Sequence, residues 1–275
     1  MNIMVSGWPE PLRPRHCFIS IVVLILLPVV GNANGQIHVD ADAPGGGDGS
    51  SWALAFQDLQ MALDAAAGGG GDEVRIAAGT YVPSVLSSPP DGRSATFQLV
   101  DGVMLAGGYA GFGEPDPDLR DPALFETRLS GDLAGNDIPP FFNNGENAYH
   151  VLICGNTITS ATILDGLVIT AGRANGGGEG ERDQGGGMRN SGGSPSLDNC
   201  IFRHNVARKE GAGMYNTSGA KPSLTSCVFR ENAANSFSGQ AGGMYNLLSD
   251  VTMIDCTFVA NTASDVGALF NQGDS

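Results

Sequence analysis

The residues of this 275-residue chain with the most specific chemistry are five cysteines. Cys200, Cys227 and Cys256 follow one another at intervals of 27 and 29 residues, and each precedes a phenylalanine by two positions. Zinc is held by four ligands at tetrahedral angles, whereas cysteines at one position of a repeat lie in a row. Three such cysteines also cannot all pair as disulfides. The spacing therefore predicts buried thiols that pack as small hydrophobic groups, and we expect the same of Cys154.

Two short acidic runs could hold a cation, because carboxylate oxygens are the ligands that Ca²⁺ prefers. They comprise Asp40, Asp42 and Asp48, and Asp116, Asp118 and Asp121. The first run departs from the EF-hand pattern at the fifth and twelfth positions of that pattern. We expect both runs to lie in solvated loops, with a Ca²⁺ site in one of them as the alternative.

The histidines and tyrosines form no catalytic motif. His204 is expected on an exposed turn, without the partner carboxylate that orients a catalytic histidine. His38 and His150 open strands and match no motif. Tyr215 and Tyr245 recur one repeat apart, which predicts a structural stack of rings, with a sugar-binding face as the alternative.

Three copies of one unit account for the C-terminal third of the chain. Each begins with Gly-Gly-Met or Ala-Gly-Met and ends with Phe-x-x-Asn, and the copies start at Gly186, Ala212 and Gly242. Breaks every six to eight residues leave no room for the helices of a helical solenoid, and propeller blades need about 40 residues each. The repeat therefore predicts an all-β fold, a right-handed parallel β-helix (solenoid) in which each unit forms one coil.

Coils of a parallel β-helix stack about 4.8 Å apart, so equivalent side chains form ladders along the stack. We expect ladders of Cys, Phe, Met and Asn. The recurring Asn205, Asn232 and Asn261 suit a turn that needs the left-handed backbone conformation. Their amides could also bond their equivalents one coil away.

Upstream of the repeats, apolar residues at helical spacing predict one helix over residues 51–67, which would cap the open sheet end before the first coil. Strands are predicted over residues 73–77, 95–99, 103–106, 150–154 and 162–170. Residues 107–145 are expected to form irregular loops beside the coils, and residues 174–187 a solvated excursion. These two segments could wall a cleft.

Residues 1–35 have the three-part layout of a signal peptide: basic residues, an apolar stretch over residues 17–30, and a run of small polar residues. The apolar stretch is too short to span about 30 Å of hydrocarbon, and no second one follows. We expect cleavage after Ala33 or Gly35, with an uncleaved N-terminal anchor as the alternative. Residues 36–275 would then form one exported β-helix domain without a transmembrane segment.

The charge of the chain argues against nucleic acid as a partner. Its 14 Lys and Arg against 29 Asp and Glu give a formal net charge of -15. Phosphate binding needs a basic stripe, and the two lysines, Lys209 and Lys221, do not supply one. Anionic membrane surfaces are unsuitable partners for the same reason.

Two sets of motifs resemble known families. The GGM or AGM signals paired with FRHN, FREN and FVAN resemble the GGAI and FxxN repeats of chlamydial polymorphic outer-membrane proteins, with Met188, Met214 and Met244 in the place of Ala. The stretch from Ile37 to Tyr81 is similar to the opening of secreted right-handed parallel β-helix proteins of the pectin-lyase-like superfamily. Together the resemblances cover most of residues 37–271 and imply a β-helix exported to the cell surface.

The same superfamily includes lyases, hydrolases and esterases, but their motifs are not found in this sequence. The esterase signature GxYxE is matched by Gly79 and Tyr81, and Pro83 stands where the Glu would be. The GHG and RIK motifs of polygalacturonase-like hydrolases do not occur in the sequence. We therefore assign no catalytic, cofactor-binding or metal-ligating residue.

The sequence predicts a secreted, non-catalytic β-helix module of the cell surface that serves adhesion, display or spacing. The alternative is a carbohydrate-active enzyme, a polysaccharide lyase or glycoside hydrolase, whose carboxylates converge from several coils. The expected partners are an extracellular polysaccharide or another cell-surface protein. The expected location is extracellular or at the bacterial outer membrane.

The last repeat unit ends soon after its opening motif, so we expect a domain that is truncated at its C-terminal end. Open strand edges there would pair end to end with another copy. The purified chain should therefore form oligomers whose fraction rises with concentration in size-exclusion chromatography with light scattering. A monomer at every concentration would contradict this expectation.

Overall fold

The computed structural model describes residues 35–69, 71–138, 141–177 and 180–273. The predicted signal peptide, apart from Gly35, lies outside these residues. The described part of the chain is built from parallel strands that stack in sheets, with one α-helix, and is consistent with an all-β parallel solenoid.

Three long sheets and one short sheet run along the stack, and their strands are numbered in chain order. The first sheet contains β1 Gln36–Val39, β2 Glu73–Ala77, β5 Met104–Tyr109, β8 Ile163–Asp165, β12 Ser196–Asp198, β16 Ser223–Thr225 and β20 Thr252–Ile254. The second sheet contains β3 Gly79–Tyr81, β6 Thr127–Ser130, β9 Leu167–Thr170, β13 Ile201–Arg203, β17 Val228–Arg230 and β21 Thr257–Val259. The third sheet contains β4 Phe97–Gln98, β7 Leu152–Cys154, β11 Met188–Ser191, β15 Met214–Thr217, β19 Met244–Leu247 and β22 Leu269–Gln272. The short sheet contains β10 Arg173–Ala174, β14 Val206–Ala207 and β18 Ala233–Ala234.

The interior of the stack contains the predicted ladders. In the second sheet, Phe202 pairs in register with Phe229, and Phe229 with Phe258. Their rings are stacked, with centroids 4.7 and 4.8 Å apart. Met188, Met214 and Met244 form a second ladder in the third sheet, and all three are buried. The Phe and Met ladders are therefore confirmed.

The cysteines are free thiols that pack as the spacing predicts. Cys154, Cys200 and Cys227 are buried, and Cys256 is half-buried. The Cys200 thiol donates to the carbonyl of Leu164 in the preceding coil, at 3.4 Å. Burial raises the pKa of Cys154 to about 12. The uncharged thiol is therefore the stable form of Cys154, which makes this residue unsuitable as a reactive or metal-binding cysteine.

The asparagine ladder is also present, but its conformation differs from the prediction. Asn232 accepts hydrogen bonds from the backbone N–H and the side-chain amide of Asn205, both at 3.1 Å. The left-handed conformation falls one residue earlier, at His204 and Glu231, with φ of 52° and 54°. The prediction that the asparagines adopt it was wrong. The left-handed residue turns the chain so that the next residue points its amide inward.

The helix is shorter than the spacing of apolar residues predicts. The α-helix α1 spans Leu59–Ala67, and residues Trp52–Leu54 form a separate 3₁₀ turn. Further 3₁₀ turns span Gly92–Ser94, Asn144–Glu146 and Glu181–Asp183. Asp58 is the N-cap of α1 and accepts a hydrogen bond from the backbone N–H of Gln60. This cap fixes the start of the helix. Phe56, which lies in the predicted helix, instead forms a parallel bridge with Val39 of β1.

Two strands replace the single strand predicted over residues 162–170. Gly166 separates β8 from β9 and has a φ of 69°, a left-handed conformation that turns the chain from the first sheet to the second.

Among the described residues, none of the helices has both the length and the apolar character needed to span a membrane.

The asparagine ladder gives a test of what holds the coils together. Replacing Asn232 by Ala leaves the buried Asn205 N–H and the Phe202 carbonyl without their partner. We expect Asn232→Ala to lower the free energy of unfolding by roughly 2 to 4 kcal/mol in urea denaturation followed by circular dichroism. The matched control Asn235→Ala, at an exposed position, should change it by less than about 0.5 kcal/mol. Equal effects of the two substitutions would rule out the ladder as a main stabilising contact.

Candidate functional site

A polar cleft lies on the outer side of the second sheet. Its volume is about 460 Å³. Its lining residues are Thr80, Arg128, Ser130, Asp132, Gly135, Asp137, Thr170, Ala171, Arg203 and His204. We call it the side cleft. Its residues come from β3, β6, β9 and β13, so the cleft crosses four successive coils.

The floor of the side cleft is a row of polar side chains in register. Ser130 pairs with Thr170, and Thr170 pairs with Arg203. Strands in a sheet are about 4.8 Å apart, so the backbone positions of these three polar residues follow one another at that spacing. The floor thus carries a polar residue on each of three successive coils.

The guanidinium groups of the floor are paired with one carboxylate. Arg203 binds Glu126 through two hydrogen bonds, of 3.1 and 2.7 Å. Arg128 binds the same carboxylate at 2.7 Å. The paired fork fixes the orientation of Arg203 and reduces its net charge. The floor therefore presents oriented hydrogen-bond donors whose positive charge is partly neutralised by Glu126.

His204 lies at the end of the side cleft and has a carboxylate partner. Its Nε2 is 2.7 Å from a carboxylate oxygen of Glu231. The prediction of a histidine without a partner carboxylate was wrong. Both residues occupy the same left-handed turn position in adjacent coils, so their side chains stack. The alignment of the motifs FRHN and FREN places them at this shared position.

One wall of the side cleft is formed by a loop, residues 131–138 and 141–147, that we call the acidic loop. Carboxylate oxygens of Asp132, Asp137 and Glu146 lie within 4.8 Å of one another. The loop is closed at its base, where the N–H of Ala148 donates to the carbonyl of Gly131 at 2.8 Å. We refer to the three carboxylates as the acidic cluster.

The acidic cluster has an unusual electrostatic environment. Burial raises the pKa of Asp137, and the charges of Asp132 and Glu146 raise it further. The side-chain amide of Asn147 donates to Asp137 at 2.7 Å and opposes this shift. Sequence analysis missed the cluster because its three acids match no motif and are brought together only by the closure of the loop.

The segment 107–145 is more regular than expected. The strand β5 continues to Tyr109, and β6 lies in the middle of the segment. Its second part, with the acidic loop, walls the side cleft. The expectation of irregular loops beside the coils is therefore correct for only part of it.

A second cleft, of about 490 Å³, lies beside the third sheet. It is walled by residues 176 and 180–183, and its lining includes Tyr149, His150 and Arg189. The guanidinium groups of Arg93 and Arg182 lie 4.3 and 5.1 Å from the ring centre of Tyr149. These cation–π contacts occupy the aromatic ring, so it is not free to stack on a ligand.

The solvated excursion predicted over residues 174–187 is anchored at Asp183. This residue is buried, and its carboxylate binds Arg208 at 3.2 Å and accepts from the N–H of Gly177. The expectation of a solvated segment was wrong there, because a buried carboxylate with donors fixes the loop to the stack.

The acidic runs singled out in the sequence hold the N-terminal coils together. Asp40 is buried and accepts hydrogen bonds from the N–H groups of Phe112 and Asp42. Asp118 accepts from the indole of Trp52 and pairs with Arg75. Asp40 therefore does not lie in a solvated loop. Neither run forms a group of metal ligands within the described residues.

Tyr215 and Tyr245 form a structural stack. Their ring centroids are 5.6 Å apart, with an angle of 15° between the planes. The stack continues from Tyr245 to Phe270 at 5.4 Å. Both tyrosines are buried, so their faces bind one another and not a sugar.

No family model, no curated protein and no solved structure matches this chain. The stacked parallel strands are the part of the resemblance to β-helix proteins that the structure bears out.

His150, beside the second cleft, gives a pH test. Burial, together with the charges of Arg189 and Arg182, lowers its pKa from an ordinary value of 6.5 to about 4, although the hydrogen bond to Gly185 opposes the shift. Its Nδ1 is 2.9 Å from the carbonyl of Gly185. Because the unfolded chain takes up the proton first, stability is complete above about pH 6.5 and falls as the pH drops towards 4.

We expect this histidine to contribute a loss of about 2 kcal/mol in the free energy of unfolding between pH 7 and pH 5. His150→Asn keeps a side-chain donor and has no such titration. Urea denaturation at several pH values should show the variant losing less stability than the wild-type protein. Identical pH profiles would contradict the assignment of a neutral, buried His150.

Proposed function

We propose that the chain is a secreted or cell-surface, non-catalytic β-helix module that holds a linear polysaccharide in its side cleft. The observation that carries this proposal is the row of Ser130, Thr170 and Arg203, one residue from each of three coils. A polymer with repeating hydroxyl groups meets a repeating set of donors and acceptors along this row. Adhesion or display through such a surface needs no chemical step.

The pairing of charges in the side cleft suits the binding of a ligand. Arg203 is held by Glu126, and His204 by Glu231. Paired groups at fixed positions are well suited to orient hydroxyl groups of a ligand.

We also propose that the fold is a right-handed β-helix and that the protein is located outside the cell. Connections between parallel strands of one sheet are right-handed in about 98% of cases, which supports a right-handed β-helix. The helix α1 packs against β1 and β2 and is proposed to cap the first coil. The motifs GGM and FxxN support a relationship to polymorphic outer-membrane proteins, and the stretch from Ile37 to Tyr81 supports one to pectin-lyase-like proteins. Residues 1–35 would direct export, to the medium or the outer membrane.

A carbohydrate-active enzyme is the second candidate, and one observation favours it. Asp132 and Asp137 line the same cleft, and their carboxylate oxygens lie within 4.8 Å of each other. Retaining glycosidases use two carboxyl groups about 5 to 5.5 Å apart, one of them protonated. The raised pKa of Asp137 is of the kind that a general acid needs.

A steric block of the side cleft tests the binding proposal. Thr170→Tyr fills the middle of the floor, and Thr252→Tyr puts the same side chain on the exposed face of the first sheet as a control. In affinity electrophoresis against neutral and acidic polysaccharides, we expect Thr170→Tyr to weaken binding at least tenfold, or about 1.4 kcal/mol. Thr252→Tyr should bind as the wild-type protein does.

The same polysaccharides separate the two candidate functions. The non-catalytic module should release neither reducing ends nor unsaturated products, with or without Ca²⁺. Product that disappears in Asp137→Asn, in a variant with an unchanged circular dichroism spectrum, would favour the enzyme. Absence of binding to every polysaccharide would refute the proposed ligand class.

A further inference from the structure

The acidic cluster brings three carboxylates together without a salt bridge. Asp132 comes from the start of the acidic loop, and Glu146 from its end. Within the described residues, none of the three carboxylates lies in an ion pair with a Lys or Arg. The charge of Arg173 lowers the pKa of Asp137, and the Arg173 side chain donates to the carbonyl of Asn144. Three adjacent carboxylates in a half-buried site repel one another and call for a positive charge.

Buried oxygens at the acidic cluster have no hydrogen-bond donor. They are Asp137 Oδ1, Glu146 Oε1 and Asn147 Oδ1. With the two carboxyl groups ionised, all three atoms only accept hydrogen bonds, so they cannot satisfy one another. Buried polar atoms in proteins almost always have a partner, and a bound ion can supply the partner where the protein itself does not.

The orientation of Asn147 makes its oxygen the most informative of these atoms. Asn147 is only 1% exposed. Its amide nitrogen donates to Asp137 Oδ2 and to the carbonyl of Ala171, both at 2.7 Å. These two bonds fix which arm of the carboxamide is the nitrogen. The other arm, Oδ1, is therefore an oxygen held beside the cluster with nothing to bind.

We propose that Asp132, Asp137, Glu146 and the side-chain oxygen of Asn147 form a Ca²⁺ site that joins the two ends of the acidic loop. Ca²⁺ takes six to eight oxygen ligands at about 2.3 to 2.6 Å, so oxygens on opposite sides of the ion are about 5 Å apart. Carboxylate oxygens within 4.8 Å of one another fit around one such ion. Asp132 and Asp137 also line the side cleft, so solvent can fill the remaining ligand positions from there.

This Ca²⁺ site is separate from the proposed binding of a polysaccharide, because the ion would bind the acidic loop and not the polysaccharide. Asn147 already links the acidic loop to the next coil through Ala171, which follows β9. An ion bound to residues at both ends of the loop would fasten the wall of the side cleft to the stack. The site differs from the two acidic runs noted in the sequence because buried carboxylate oxygens of Asp137 and Glu146 lack a donor here, although both carboxylate oxygens of Asp132 accept backbone N–H bonds, from Asn136 and Asp137.

Calcium titration of the purified chain tests the site. After treatment with EDTA and its removal, isothermal titration with CaCl₂ should give one site, and Ca²⁺ should raise the melting temperature. Asp137→Asn and Glu146→Gln should each weaken the affinity at least tenfold. The matched controls Asp116→Asn and Glu114→Gln remove the same charges from an exposed loop and should bind as the wild-type protein does.

The melting temperatures of the metal-free proteins give a second test. Without Ca²⁺, Asp137→Asn relieves the repulsion in the acidic cluster and should melt at a higher temperature than the wild-type chain. A purely structural carboxylate would give a lower melting temperature in this comparison. The higher value, together with loss of the Ca²⁺-dependent shift, supports the ion site.

Three results would overturn the proposal. The first is the absence of heat and of a melting shift at millimolar Ca²⁺, which would indicate that a proton shared between the carboxyl groups neutralises the cluster instead. The second is equal binding of Mg²⁺, which would contradict the assignment to Ca²⁺. The third is unchanged Ca²⁺ affinity in both cluster variants, which would place the ion elsewhere on the chain.

Discussion

In the described coils, the fixed register in which parallel strands of successive coils hydrogen-bond determines which side chains become neighbours. The pairing of Met188 with Met214, and of Met214 with Met244, shows this register in the third sheet. Each side chain then has its equivalent in the next coil as its nearest neighbour across the sheet. An apolar residue gains an apolar contact. An asparagine gains a neighbour that uses both its donor and its acceptor, as Asn205 and Asn232 do.

The same constraint creates difficulties for charged residues. Arg203 pairs in register with Arg230, and like charges at neighbouring positions of a sheet repel one another. Glu126, from the segment before β6, binds Arg203 and offsets this repulsion. At the adjacent turn, opposite types occupy equivalent positions, and His204 binds Glu231. On the outer face of the stack, a residue from outside the repeats, Glu126, therefore offsets the repulsion between like charges that the repeat places side by side.

The repeat made the interior predictable, whereas long-range contacts limited what the sequence could reveal. The recurrence of Phe202, Phe229 and Phe258 at intervals of 27 and 29 residues implies a ladder, because a solenoid converts sequence period into spatial position. The burial of Asp40 depends on the N–H of Phe112, which no local pattern connects to it. The acidic cluster depends on closure of a loop that differs from the repeat. The helix start was misplaced because the cap at Asp58 outweighs the apolar spacing before it.

The order of strands in the sheets has a consequence for how such a chain can evolve. In the described repeats each strand pairs only with its equivalents in the preceding and following coils. Duplication of one unit of 27 to 29 residues therefore adds a coil without altering contacts elsewhere. The acidic loop precedes the repeats, and Arg203 and His204 of the first repeat are the side cleft's lining residues within them. Coils added after this repeat would lengthen the stack and leave the lining of the cleft unchanged.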